Sequence, residues 1–254
     1  MARYFIHLAY HGKNYSGWQR QLKDRSVQQT IEEILAKFFN EEIRIMGCGR
    51  TDAGVHASSY YAHFDTEKPL PEDFVHKLNC YSRQSIAFYS VEKVSNDAHA
   101  RFDAIKRSYV YKMHFEKDPF KYGLSWMYAL GNKPDFELMN KTAKKLLEFK
   151  DFETFCKTGG SNNTFFCNLS RCEWISKNDD VDWEFHISSN RFLRGMVRLV
   201  AGGLILVGRG KIGDDEFLET VLNKKRIRIP YAVPAWGLYL TEVVYPDHIL
   251  LNEN

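Results

Sequence analysis

Apolar and polar residues alternate from Arg3 to Tyr10, with Tyr4, Ile6, Leu8 and Tyr10 against Phe5, His7 and Ala9. A period of two predicts a strand, and apolar residues on both faces predict a central place in a sheet. Ser26 reads as a helix N-cap, followed at helical spacing by Val27, Ile31, Ile34, Leu35 and Phe38, so a helix is expected to about Asn40. Ile43 to Met46 and His56 to Phe64 read as strands. A second helix is expected with Pro71 in its first turn and Phe74, Val75 and Leu78 on one face. Ser85 to Val94 reads as a further strand, giving β-α-β-β-α-β.

The order recurs downstream. Lys106 to Phe115 reads as a strand, and Asp135 caps a helix carrying Phe136, Met139, Ala143, Leu146 and Leu147. Thr164 to Ile175 and Asp180 to Ile187 resemble antiparallel strands joined near Asn178-Asp179. Phe192 to about Val207 and Asp214 to Leu222 have helical patterns, and Leu238 to Val244 is a last strand. The repeated order predicts an α+β fold of two ferredoxin-like α/β subdomains with an antiparallel central sheet. The first is expected over residues 1–105 and the second over residues 106–254. No Pro/Gly/Ser-rich linker intervenes, so a tight joint is expected.

Composition narrows the class. The 254 residues are 44% hydrophobic and 26% charged, the balance of a soluble globular protein. The longest apolar run, Leu199 to Val207, falls far short of the roughly 20 residues a membrane span needs. Met1-Ala2-Arg3-Tyr4 enters the first strand with no apolar signal segment, so a cytoplasmic protein without membrane contact is expected. Five cysteines form no disulfide framework, and the nine histidines include no His-Glu-x-x-His, so no metal is expected. A net charge of +3 requires unevenly placed cations if nucleic acid is the partner.

Candidate chemistry gathers in Gly49-Arg50-Thr51-Asp52-Ala53-Gly54-Val55-His56-Ala57. Two bracketing glycines permit a loop that holds Asp52 at a fixed angle. A nearby arginine favours an ionised carboxylate, which suits a nucleophile better than a general acid. The same residues also fit an Asx-turn before Gly54, with Arg50 solvating the loop. His11 to Gln21, rich in glycine, aromatics and amides, fits either base stacking or a plain polar loop. Arg191, Arg194 and Arg198 recur at helical spacing; if Phe192 onward is helical, Arg194 and Arg198 share a face with Arg191 at the entrance. An arginine on a largely buried helix requires an acceptor. Lys224-Lys225-Arg226-Ile227-Arg228 is a short basic cluster fit for RNA backbone or for solvent. Tyr109 and Tyr111 share one strand face, as core tyrosines or as a stacking surface.

Laid out in order, these blocks resemble the tRNA pseudouridine synthase A (TruA) family. They are Tyr10-His11-Gly12 through Gly17-Trp18-Gln19-Arg20-Gln21, the Arg50 to His56 block, and His99-Ala100-Arg101-Phe102-Asp103-Ala104 leading to Arg107-Ser108-Tyr109-Val110-Tyr111. Asn190 to Arg198 and Pro234 to Leu240 complete the set. The resemblance implies the pseudouridine synthase fold and isomerisation of uridine to pseudouridine in tRNA, without metal or organic cofactor. The usual targets are tRNA positions 38 to 40 of the anticodon stem-loop, and members are homodimers. It implies Asp52 as the catalytic nucleophile, with Arg50 holding it ionised or gripping a phosphate. Tyr109 would stack on the target uracil and assist removal of the C5 proton, and Arg198 would pair with the catalytic carboxylate. Leu238 would line the pocket, and Gln19, Arg20, Arg101 and Arg194 would contact substrate.

The chemistry is consistent with these residue types. The N-glycosidic bond breaks and C5 rejoins the same ribose carbon, so the freed base must be kept and turned. Asp52 suits attack on ribose C1′, attack on uracil C6, or assistance to a glycal route. A base must first leave its stack at a cost of a few kcal/mol, and an aromatic stack of roughly 1–3 kcal/mol offsets much of it. His11, Ser108, Gly195 and Trp236 depart from the family's common pattern, which bears on substrate range more than on reaction. A paralogue acting on another RNA uridine, or a non-catalytic RNA-binding protein on the same scaffold, are the alternatives.

Overall fold

Tyr4, Ile6, Leu8 and Tyr10 turn one face of the first strand, β1 (Ala2–Tyr10), onto buried aromatic and aliphatic neighbours, and Phe5 is buried on the other. The computed structural model describes residues 1–82, 84–157 and 164–249. Among them are nine strands and five α-helices, a mixed α/β protein. Contacts divide the chain into two compact units, Met1–Arg107 with Tyr239–Asn254, and Ser108–Leu238. No helix among the described residues is long and apolar enough to cross a membrane.

In the first unit, β1 pairs antiparallel with β3 (His56–Thr66) on one side and β4 (Ile86–Val94) on the other. The short β2 (Ile45–Gly47) pairs with the far end of β3. Helix α1 (Val27–Phe39) is capped as expected, the Ser26 side chain accepting from the Gln29 amide, and buries Val27, Ile31, Ile34, Leu35 and Phe39. Its end meets helix α2 (Phe74–Tyr81) through Phe38, Phe39 and Phe74, over Phe64 of β3. Pro71 lies outside α2. The helix begins at Phe74, whose amide donates to the Pro71 carbonyl, so the proline belongs to the turn before it.

The strand β9 (Leu238–Val244) runs parallel to β3, pairing His56 with Tyr239 and Ala57 with Leu240. The sheet of this unit is therefore mixed rather than purely antiparallel.

The second unit is built on β5 (Lys106–His114), β7 (Leu169–Lys177) and β8 (Asp182–Ser189). β7 and β8 form the expected hairpin, turned by Asn178, Asp179 and Asp180, all at positive φ. The strand starts later than expected because Phe166 bridges Asp151, the Cys167 amide donates to Lys150 and the Phe165 carbonyl accepts from Phe152, turning residues 165–167 to the segment 150–152. A two-residue strand, β6 (Trp126–Met127), pairs parallel with β5 and has no periodic signature to announce it. Helix α3 (Phe136–Leu146), capped by Asp135, packs Phe136 against Trp174 of β7, and its Asn140 bonds the Trp174 backbone in both directions. Helices α4 (Met196–Gly208) and α5 (Asp214–Leu222) complete the unit.

Helix α4 differs from expectation at its start. Gly195 sits at φ +73, a left-handed conformation that cannot continue an α-helix, so Phe192 to Arg194 precede the helix. Arg194 and Arg198 thus do not share a helix face; only Arg198 is on α4.

Candidate active site

Asp52 lies in the loop between β2 and β3, where a short strand must reverse into a long one. The Val55 amide donates to the Asp52 carbonyl at 3.2 Å, closing a turn with Gly54 at φ +80. The Asp52 side chain is half-buried. Of the two bracketing glycines only Gly54 is required by conformation. Gly49 has no positive φ, and a Cβ there would meet open space.

The loop is held from outside itself. Tyr60 on β3 donates from its hydroxyl to the Gly49 carbonyl at 2.5 Å, and its ring stacks on Trp18 with centroids 4.0 Å apart. Both rings press on Gly47, where a Cβ would collide with them. The Tyr10 and Thr51 hydroxyls share a hydrogen bond of 2.9 Å, the Trp18 amide donates to the Thr51 carbonyl, and the Gly54 amide donates to the Tyr15 carbonyl. The Gly12 amide donates to His56 Nδ1, and the His56 ring stacks on Tyr239. On the remaining shoulder, the buried Arg107 guanidinium donates to the carbonyls of Cys48, Ala104 and Arg101. The His11 to Gln21 segment is thus a strap for the loop. Trp18 serves it as a buried scaffold residue rather than as an exposed base platform.

The predicted residues fall in both units. In the first, Arg50 is exposed, and no ion pair joins it to Asp52 among the described residues. Gln19 is exposed, whereas Arg20 is committed to Glu32 on α1 at 2.9 Å. Arg101 lies over the Phe102 ring at 5.5 Å and lends its carbonyl to Arg107. In the second, the half-buried Tyr109 meets Phe192 edge-on at 5.2 Å, a neighbour the sequence did not single out. Tyr111, its partner in the pattern, is fully buried, and burial pushes its phenol well above the ordinary range, so it is a core residue. The half-buried Arg198 donates from Nε to the Val233 carbonyl at 2.7 Å. Leu238 is buried, and Arg194 is exposed before α4.

Tyr10, Gly47, Tyr60 and Arg107 are the residues that sequence reasoning missed as supports. The alternation along β3 pointed Tyr60 inward, but nothing in it pointed to the Gly49 carbonyl as its acceptor.

Known proteins share this whole arrangement of blocks. Residues 6–103 and 143–246 match the profile described as tRNA pseudouridine synthase. The chain is 42% identical to tRNA pseudouridine synthase A of Parabacteroides distasonis, with all of each chain covered. It is 41% identical to the protein of that name from Porphyromonas gingivalis, over 99% of this chain and all of the relative. Against tRNA pseudouridine synthase A 2 of Clostridium tetani it is 35% identical, over 94% of this chain and 97% of the relative. A likeness this extensive, with the Asp52 loop in its supports, makes the chain a member of the tRNA pseudouridine synthase family.

Proposed function

We propose that the protein is an isomerase that converts uridine to pseudouridine in tRNA, with Asp52 as its nucleophile. The observation that carries this reading is the Asp52 loop, whose main-chain turn is fixed from outside by Tyr60, Tyr10 and Arg107. Preorganisation of this kind is what a nucleophile requires. In the reaction the N1–C1′ bond breaks, a C5–C1′ bond forms, the C5 proton leaves to solvent and N1 takes up a proton, with no net oxidation. Tyr109, its ring edge-on to Phe192, offers a face to the detached uracil. Arg198 and Leu238 are the charge partner and the apolar wall in this reading. Arg50, exposed and unpaired with Asp52, is left to grip a phosphate.

The substrate is read as the anticodon stem-loop at positions 38–40, acted on by a cytoplasmic homodimer of chains with two ferredoxin-like subdomains. The family membership supports each of these points. Incubation with tRNA carrying C5-tritiated uridine should release tritium, and Asp52→Ala should abolish release while RNA binding persists. Equal release by variant and wild type would remove Asp52 from the mechanism. Mapping the product pseudouridines in the same reaction tests the positions, and light scattering of the same sample tests the dimer.

A further inference from the structure

Residues 98–104, between β4 and β5, belong to no helix or strand, yet side chains from across the first unit bind their main chain. Arg3 donates from Nη1 to the Ala98 carbonyl at 2.9 Å, and the buried Tyr245 donates from its hydroxyl to the Ala100 carbonyl at 2.6 Å. The Ala100 amide donates to Nδ1 of buried His63 at 3.1 Å. The Arg101 and Phe102 amides donate to His99 Nδ1 at 3.0 and 3.3 Å, and the Asp103 carboxylate accepts from the His99 amide at 2.7 Å. Arg107 closes the segment by donating to the Arg101 and Ala104 carbonyls.

A single exposed apolar side chain means little by itself. Phe102, 73% exposed, differs because the main chain on both sides of it is ordered by groups drawn from distant strands. Fixing a loop residue sacrifices backbone freedom during folding, and a loop already ordered gives up little more when its side chain binds. The ring does not turn inward to recover burial. It leans on the His99 ring, centroids 4.3 Å apart at 37°, and the Arg101 guanidinium stands 5.5 Å from its centroid.

The segment is also tied to the Asp52 loop. Arg107 Nη2 donates both to the Arg101 carbonyl at 2.6 Å and to the Cys48 carbonyl at 2.9 Å, so the peptide before Phe102 and the root of that loop meet at one nitrogen. The tether reaches Cys48 and not Asp52 itself, which suits a neighbour of the target nucleotide. Unpaired RNA bases are held by stacking on aromatic rings and guanidinium planes, both of which this segment presents. A protein surface covering the ring would have to desolvate the exposed Arg101 with it.

We propose that Phe102 is a stacking platform for an unpaired base of the RNA substrate other than the target uracil, held in place by the ordered segment 98–104. The inference rests on the tRNA pseudouridine synthase reading and adds to it a binding residue outside the Asp52, Tyr109 and Arg198 set.

Equilibrium binding of tRNA across a salt series, for wild type, Phe102→Ala, Phe102→Leu and Phe102→Trp, tests this. Loss of one stacked base weakens binding by about five- to a hundredfold. No phosphate contact is lost, so the slope of log affinity against log salt should stay as in wild type. Leucine keeps apolar bulk without a π-face and should resemble alanine, whereas tryptophan should bind at least as tightly as wild type. The ring is exposed, so all three variants should keep the wild-type melting temperature. The leucine and tryptophan variants decide the matter should alanine destabilise the loop. The partner base is found with tRNA carrying one abasic nucleotide at each unpaired position in turn. At one position Phe102→Ala should cost nothing further. A leucine or alanine variant with wild-type affinity would overturn the platform, and so would an equal alanine penalty on every abasic tRNA. A change of particle mass in light scattering of Phe102→Ala would assign the ring to a contact between copies, and the proposal would fall. Pseudouridine formation by wild type with none of these effects defeats this inference alone. Absence of pseudouridine formation defeats the catalytic reading instead and leaves the binding comparison standing.

Discussion

Arg107 is the sharpest place to test whether the Asp52 loop is held from outside. The guanidinium of this residue, 8% exposed, donates to the carbonyls of Cys48 at 3.3 and 2.9 Å, Ala104 at 3.1 Å and Arg101 at 2.6 Å. Cys48 stands four residues before Asp52, so this contact pins the root of the Asp52 loop to the segment that leads into β5. Arg107→Met keeps the stem and deletes the donors. At roughly 1 kcal/mol net for each deprived carbonyl the loss is about 3 kcal/mol, and relief from burying a cation trims it toward about 2 kcal/mol. Urea denaturation should read this as a lower midpoint with an unchanged slope. The kinetic effect should be larger than the stability effect suggests. A shift of about 1 Å in a reacting group costs on the order of a hundredfold, so kcat for tritium release should fall ten- to a hundredfold while KM moves little. Arg107→Lys, one ammonium that cannot span three carbonyls, should fall between. A methionine variant with wild-type kcat and stability within about 0.5 kcal/mol would refute the positioning argument.

Gly47→Ala pushes a methyl group into Trp18 and Tyr60, both buried, and should cost about 1–3 kcal/mol by overpacking, read as a lower melting temperature; a neutral effect would mean the two rings are not fixed there. His63 is pushed from 6.5 down to about 4, first by burial and then by Arg3 and His99. It therefore stays neutral in the folded chain while the unfolded chain takes up a proton near 6.5. Its contribution to stability is complete above pH 6.5, declines as pH falls to about 4 and levels off below. The urea midpoint of wild type relative to His63→Gln should fall as pH drops from 6.5 to about 4 and stay flat above that window. A constant difference from pH 4 to 8 would contradict the burial of a neutral imidazole.

Local pattern carried the elements well where one residue type at one position decides the matter. Ser26 and Asp135 cap their helices through their own side chains, and Asn178-Asp179 turns its hairpin through residues that tolerate positive φ. The errors arise where a neighbour far away in the chain competes. Phe165 to Cys167 lies within the run read as one strand with β7, yet Lys150, Asp151 and Phe152 take its backbone bonds instead. Helical spacing of Arg191, Arg194 and Arg198 survives across Gly195, but one glycine at φ +73 ends the geometry that spacing presumes.

The candidate site divides in the same way. The turn that carries Asp52 was legible because it is written within nine residues, whereas its supports are separated from it by long stretches of chain. Tyr10 reaches Thr51 across 41 positions and Arg107 reaches Cys48 across 59. No periodicity encodes such pairings, because each depends on the register of β1 against β3 and on where β5 begins. The same reasoning separates Arg20 from Arg50. Both are arginines in matched blocks, but buried Glu32 needs a cation and takes Arg20, while Arg50 emerges from a loop whose carboxylate it does not pair with. Reading a motif arginine as a substrate contact therefore requires knowing which buried acid claims it first. In this chain that criterion sets the exposed Arg50 and Arg194 apart from Arg20, which Glu32 already holds.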